Sequence, residues 1–203
     1  MKTPTHSSRL SLLGIALGLG LALPCTAADD HADHAVHTAS KAEVSKSGLD
    51  QVAELITVII PTSGSKVSGS VTFTKVAGGV EVTAKVSGLN PNSEHGFHIH
   101  ELGNVSAADG TSTGGHYNPE GHDHGLPHGD VRHAGDFGNL KANAEGVAEL
   151  KLVSNLITLA GPKNAIIGRG IVIHAQPDDG GQPTGNAGAR IGVGVIGISK
   201  VTP

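Results

Sequence analysis

Cysteine is almost absent from this chain, with one among 203 residues, at position 25. A lone cysteine excludes an internal disulfide framework. Tryptophan is missing, tyrosine occurs once and phenylalanine three times, so aliphatic residues must fill whatever core the chain builds. Basic residues are few, 14 against 18 acidic ones for a net charge of −4, which argues against a nucleic-acid partner that would need a basic stripe. A hydrophobic fraction of 37% excludes a multi-span membrane protein, and a charged fraction of 16% is too modest for a chain disordered throughout. What is abundant is glycine, 30 residues, and histidine, 13. A histidine-rich, cysteine-poor composition suggests metal ligation by imidazole. The length permits one domain of ordinary size, or a tight pair at most.

Residues 1–27 read as a secretory leader. Lys2 and Arg9 make a basic start, Leu10 to Leu23 is an unbroken apolar and small run, and Cys25-Thr26-Ala27 offers small side chains for cleavage. The run is short for a membrane span. Its removal takes away two positive charges and no negative ones, so the net charge moves from −4 to −6, and Cys25 leaves with it. The rival reading is a lipoprotein signal acylated at Cys25, for which Pro24 is a poor neighbour. Both send the chain across the cytoplasmic membrane, and the periplasm is the expected destination. Residues 28–48 form a polar tail without apolar periodicity. Its His31, His34 and His37, set among Asp29, Asp30 and Asp33, fit a solvated linker; the alternative is a tract that scavenges copper or zinc.

Residues 49–203 carry the fold, and their period is two. Val67, Gly69, Val71 and Phe73 alternate with Ser68, Ser70, Thr72 and Thr74; beyond Ala77-Gly78-Gly79, Val80, Val82, Ala84 and Val86 alternate with Glu81, Thr83 and Lys85. This is a hairpin with one apolar face. Further strands are expected at Leu55–Ile60, Gly96–Glu101, Val147–Val153, Ile166–His174 and Ile191–Ser199, with no long amphipathic helix. Seven or eight antiparallel strands must close as a sandwich or barrel to hide their edges. Between Glu101 and about Gly146, some forty residues of Gly, His and Asp show little strand character. A loop that long in a compact domain is usually functional or disordered.

Histidine spacing decides which. In His95-Gly96-Phe97-His98-Ile99-His100, residues 98 and 100 share one strand face while Phe97 and Ile99 take the other. With the apolar pair inward, two imidazoles stand on the outer face about 7 Å apart at the backbone, placed to chelate one ion. His174, ending Ile171-Val172-Ile173, can supply another nitrogen, and the long loop contributes His116, His124, His133 and Asp136. A closed set of three nitrogens and one oxygen suits structural zinc. An all-imidazole site with room for a small ligand suits copper.

These residues lie in motifs that resemble the copper–zinc superoxide dismutases in their secreted bacterial form: Gly96-Phe97-His98-Ile99-His100-Glu101, Gly115-His116-Tyr117-Asn118-Pro119, Arg132-His133-Ala134-Gly135-Asp136, Gly168-Arg169 leading to His174, and Gly185-Asn186-Ala187-Gly188-Ala189-Arg190. The resemblance runs from about residue 50 to 200. It implies an all-β fold, a flattened eight-stranded Greek-key barrel akin to Ig-like sandwiches, with long metal-binding and electrostatic loops. It implies one copper per subunit, held by His98, His100, His116 and His174, and one zinc, held by His116, His124, His133 and Asp136. His116 would bridge both. Asp178 matches the carboxylate that ties a copper-ligand histidine to a zinc-ligand histidine, and Arg190 the arginine that binds the anion over the copper. The implied activity converts superoxide to oxygen and hydrogen peroxide, with His116 and Arg190 as catalytic residues. Monomer and homodimer are both compatible with it.

Within residues 49–203, three histidines fall outside that set. By alternation His95 belongs to the inward face of its strand, as a hydrogen-bonded core or supporting residue; His122 and His128 are expected to be solvated. One departure from the family pattern stands out. Members usually carry a disulfide tying the loop before the bridging histidine to the last strand, yet neither Ala107-Ala108-Asp109-Gly110-Thr111 nor Arg190-Ile191-Gly192-Val193 contains cysteine. Losing such a link ordinarily costs roughly 2–5 kcal/mol, and metal ligation of the long loop is the expected substitute. The competing function is a non-catalytic extracytoplasmic store or carrier of copper or zinc, which would not need Arg190.

Overall fold

The computed structural model describes residues 48–202. The leader, and the tail with His31, His34 and His37, lie outside them. Among the described residues nine strands follow one another: β1 (Val52–Pro61), β2 (Ser68–Val76), β3 (Gly79–Ser87), β4 (Glu94–His100), β5 (Asp136–Lys141), β6 (Ala148–Ser154), β7 (Gly170–His174), β8 (Arg190–Val195) and β9 (Gly197–Val201). The helical elements among the described residues are two short 3₁₀ turns, Gly48–Gln51 and Thr111–Thr113, and none is long and apolar enough to cross a membrane.

The expected hairpin forms in register: Val71 faces Ala84 and Phe73 faces Val82, and all four side chains are buried. Strand order is β5-β4-β7-β8-β1-β2-β3-β6, every pair antiparallel. The pairings of β3 with β6 and of β4 with β7 are the Greek-key crossovers. β8 pairs with the end of β1 (Ile60 with Val193) and β9 with its beginning (Leu55 with Ile198), so the two act as one strand interrupted at Ile196. That reduces nine segments to an eight-stranded barrel. Its path ends, β5 and β6, are joined by a short turn with an Ala142–Ala148 bridge, which leaves the barrel nearly closed.

Aliphatic side chains fill the interior, among them Leu55, Ile59, Leu140, Ile166, Ile171 and Ile173. All three phenylalanines are buried with them, Phe97 against Phe137 at 5.4 Å between ring centres.

Three strand boundaries differ from the sequence expectation. The forty-residue stretch taken as loop contains β5. Its Gly138 has φ +74° and makes a bulge against β4, so Phe137 and Leu140 are both buried three residues apart and the period-two signal disappears. The segment expected as a strand from Ile166 begins only at Gly170, because Gly168 turns the chain at φ +76° and Ile166 and Ile167 donate instead to Thr158 and Leu159. The last strand breaks at Ile196, whose N–H goes to the Arg169 carbonyl at 2.9 Å.

Candidate metal centre

Alternation along β4 sends His95, Phe97 and Ile99 to the core and His98 and His100 to the other face. That outer face is not solvated: His98 is 0% and His100 1% exposed. The long loop folds back over it. The Tyr117 N–H donates to the Ile99 carbonyl at 2.8 Å, the Ile99 N–H to Gly135 at 2.9 Å, and His116 bridges to His100. Gly135 permits this approach, since a Cβ there would meet the Ile99 carbonyl oxygen at 2.5 Å.

The fold thereby gathers His98, His100, His116 and His174 into one group and His116, His124, His133 and Asp136 into another, the ligand atoms of each within 4.8 Å of one another. Every member is buried. His116 belongs to both. Its Nδ1 lies 3.0 Å from Asp136 Oδ1, while its Nε2 is buried without a partner, and its ring sits 4.0 Å from that of His98.

The remaining nitrogens are aimed by their own partners. His100 Nδ1 pairs with the Gly114 carbonyl at 2.9 Å and His174 Nδ1 with that of Gly188 at 3.1 Å, turning both Nε2 atoms toward each other at 3.4 Å. His98 Nε2 is held by Asp178 Oδ2 at 2.9 Å, which leaves Nδ1 without a partner. In the second group the Nδ1 atoms of His116, His124 and His133 converge on Asp136 at 3.0, 2.9 and 3.2 Å. Two buried ring nitrogens, His98 Nδ1 and His116 Nε2, have no partner, and His124 Nδ1 and His133 Nδ1 have only the Asp136 carboxylate beside them. Buried polar atoms normally have partners, and these point inward at the two groups. The donor sets, four imidazole nitrogens and three nitrogens with one carboxylate, fit copper and zinc respectively.

Asp178 joins the groups. Its Oδ2 takes His98 Nε2 and its Oδ1 takes His124 Nε2, both at 2.9 Å. His98, His124 and Asp178 could be read as a third ion site, but both histidines spend Nε2 on the carboxylate and keep Nδ1 for the other groups. Asn139 fixes Asp178 by exchanging hydrogen bonds with its main chain at 2.7 and 2.8 Å. Gly185 leaves room, because a Cβ there would collide with the Asp178 carboxylate and His124.

Electrostatics match this geometry. Burial lowers the pKa of His98 to about 4, of His174 to about 3 and of His100 to about 2, so all three stay neutral and able to ligate. Burial also lowers that of His133. Burial opposes charge on His124 too, but the carboxylates of Asp136 and Asp178 on its two nitrogens outweigh it and raise its pKa to about 9. Burial raises the pKa of both aspartates; their hydrogen bonds from His116 and His124, and from His124 and His98, outweigh that and hold them well below the usual range.

Arg190 opens β8 beside His174. Its Nη1 donates to the Gly110 carbonyl and to Thr113 Oγ1, and its Nη2 to the Gly114 carbonyl, all at 2.7 Å. Among the other histidines, His95 is buried, with Nδ1 2.8 Å from the His174 carbonyl and Nε2 2.6 Å from Ser93 Oγ. His122 and His128 are exposed. Sequence reasoning missed Asn139, Thr113 and Gln182; the last pairs with the His124 main chain through Oε1 at 3.1 Å and Nε2 at 2.8 Å. Nothing in their residue types marks them.

Comparison with known proteins gives the same picture. A solved structure, that of the clock protein EA4, superposes with a TM-score of 0.66 at 41% identity, covering 73% of this chain and 96% of that one. The family described as Copper/zinc superoxide dismutase matches residues 67–196. With both ligand groups on that segment, the chain belongs to the copper/zinc superoxide dismutase family.

Proposed function

We propose that this chain dismutes superoxide, with one copper at His98, His100, His116 and His174 and one zinc at His116, His124, His133 and Asp136. The observation that carries the reading is His116, one buried ring common to both ligand groups. When bound, copper supplies a one-electron couple that oxidises one superoxide to oxygen and reduces another to peroxide, and zinc supplies a fixed positive charge. The protein's part is positional. His116 can hold a proton at Nε2 for the product while Nδ1 stays on the Asp136 side. Asp178 fixes the tautomers of His98 and His124 together, as outer partners of metal-bound imidazoles do. Arg190 offers a permanent cation to an anionic substrate, locally opposing a chain whose net charge without residues 1–27 is −6.

A store or carrier would need the ligands but no arginine beside them. The test is dismutation by protein with measured copper and zinc, alongside His174→Ala and Arg190→Ala. We expect activity at one copper and one zinc per chain, loss of copper and activity in the first variant, and reduced activity with metals retained in the second. Inactivity of the fully loaded wild type would favour storage. The reading extends to location: the leader at 1–27 supports export to the periplasm, and recovery of the chain in the cytoplasmic fraction with residues 1–27 attached would reject it.

A further inference from the structure

The loop before His116 meets β8 without a covalent link. A Cβ on Gly110, where φ is +78°, would lie 2.8 Å from Val193 Cγ1 and 3.3 Å from both Arg190 Cβ and Thr62 Cγ2. Loop and strand are in contact where they could be tied together, and what ties them is polar. Thr62 Oγ1 donates to the Arg190 carbonyl at 2.7 Å, and the Ser63 N–H to the Ala108 carbonyl at 2.7 Å. Three further bonds run from the Arg190 guanidinium to residues 110, 113 and 114.

Thr113 is the unexpected member. Its side chain is 0% exposed. The hydroxyl donates its one proton to the Gly110 carbonyl at 3.0 Å and accepts from Arg190 Nη1 at 2.7 Å. Nη1 then has both protons engaged, on Gly110 and on Thr113. Nη2 has one engaged, on Gly114, and that same carbonyl accepts from His100 Nδ1 at 2.9 Å. A guanidinium carries five N–H donors in a rigid plane. Three are spent on the loop. The two with no partner among the described residues are Nε–H and the second Nη2–H, a neighbouring pair that can take an anion in bidentate fashion.

We propose that Thr113 is a positioning residue for Arg190. Its buried hydroxyl completes a three-acceptor grip on the guanidinium, fixes the plane relative to His100 through the shared Gly114 carbonyl, and reserves the Nε/Nη2 edge for the anionic substrate. The hydroxyl does for the arginine what a covalent tether between loop and β8 would do. The substrate clause rests on the dismutase reading; the grip itself does not.

Two measurements test it. In metal-free protein, the Nη1 and Nη2 groups of Arg190 should give separate nitrogen resonances in the wild type, because rotation of a gripped guanidinium is slow. Thr113→Val should average them and Thr113→Ser should keep them apart. In copper- and zinc-loaded protein, azide as the anion probe should bind about tenfold more weakly to Thr113→Val, the scale of losing one hydrogen bond to a charged group. Thr113→Ser should stay within about twofold, with metal content unchanged in both. Averaged resonances in the wild type would overturn the proposal whether or not any variant folds. Unchanged resonances and azide affinity in Thr113→Val would overturn it equally. A gripped arginine in loaded protein that does not dismute superoxide would uphold the grip and reject the dismutase reading.

Discussion

Asp178 is the residue whose chemistry leaves least room for substitution. Each carboxylate oxygen accepts from one imidazole Nε2, of His98 and of His124, and both neighbours need an acceptor. Asn is nearly isosteric, yet its amide nitrogen would present a donor to one of the two N–H groups. Asp178→Asn should therefore weaken the second ligand group most, since His124 loses the partner that orients it. Zinc titration against a competing chelator should show affinity reduced about 10–100-fold, and unchanged affinity would remove Asp178 from the metal centre. Gln182→Ala, which releases only the main-chain clip on His124, should have a smaller effect in the same titration. The two residues also show what could be read from sequence. Asp178 came from matching a known pattern, and the histidines from ligand chemistry, which admits few residue types. Gln182, Asn139 and Thr113 are ordinary polar residues on their face. Their roles depend on partners 58, 39 and 77 positions away, which only the folded chain brings near.

At the scale of elements, the division of labour is between a barrel held by apolar alternation and a loop held by polar contacts. β2 and β3 were legible because their buried residues alternate, Val71 and Phe73 on one and Val80, Val82, Ala84 and Val86 on the other. β5 was not, because its six residues contain a bulged glycine and begin on the candidate ligand Asp136. The same contrast governs stability. β2 and β3 rest on an apolar core with no candidate ligand in it, whereas residues 116–135 close over β4 through main-chain bonds and polar contacts that run largely through His116, His124 and His133. Removing metal should raise amide exchange in residues 116–135 by orders of magnitude and leave β2 and β3 protected, since local openings follow local contacts. It should also lower the melting temperature sharply, because ligation energy is folding energy in such a site. Equal melting temperatures for loaded and metal-free protein would show that the polar clamp alone holds the loop.

For the whole molecule, burying so many histidines makes metal-free stability depend on pH in a direction that can be worked out. His98, His174 and His100 titrate near 4, 3 and 2 in the folded chain, against about 6.5 when unfolded. Between those values the unfolded chain binds more protons, so acid favours unfolding. Their stabilising share is complete above pH 6.5 and is lost as the pH falls below it, each by up to about 1.4 kcal/mol per pH unit. His124 works in the opposite sense. With its folded pKa raised to about 9, its contribution is complete below 6.5 and fades as the pH rises toward 9. On the acid side the His124 share no longer changes and the three losses stand alone, and the depressed Asp136 and Asp178 add to them only below the ordinary carboxylate range. The metal-free protein should therefore be most stable near neutrality, with a melting temperature that falls markedly from pH 7 to pH 5 and more gently from pH 7 to pH 9. Metal on the same nitrogens competes with protons, so the loaded protein should hold its melting temperature through pH 5 and then lose metal and fold together. Scanning calorimetry of both forms across that range reads the difference directly. A metal-free melting temperature that stays level between pH 7 and 5 would mean these imidazoles are not kept neutral by burial, and the account of a ligand cluster poised for metal would lose its electrostatic basis.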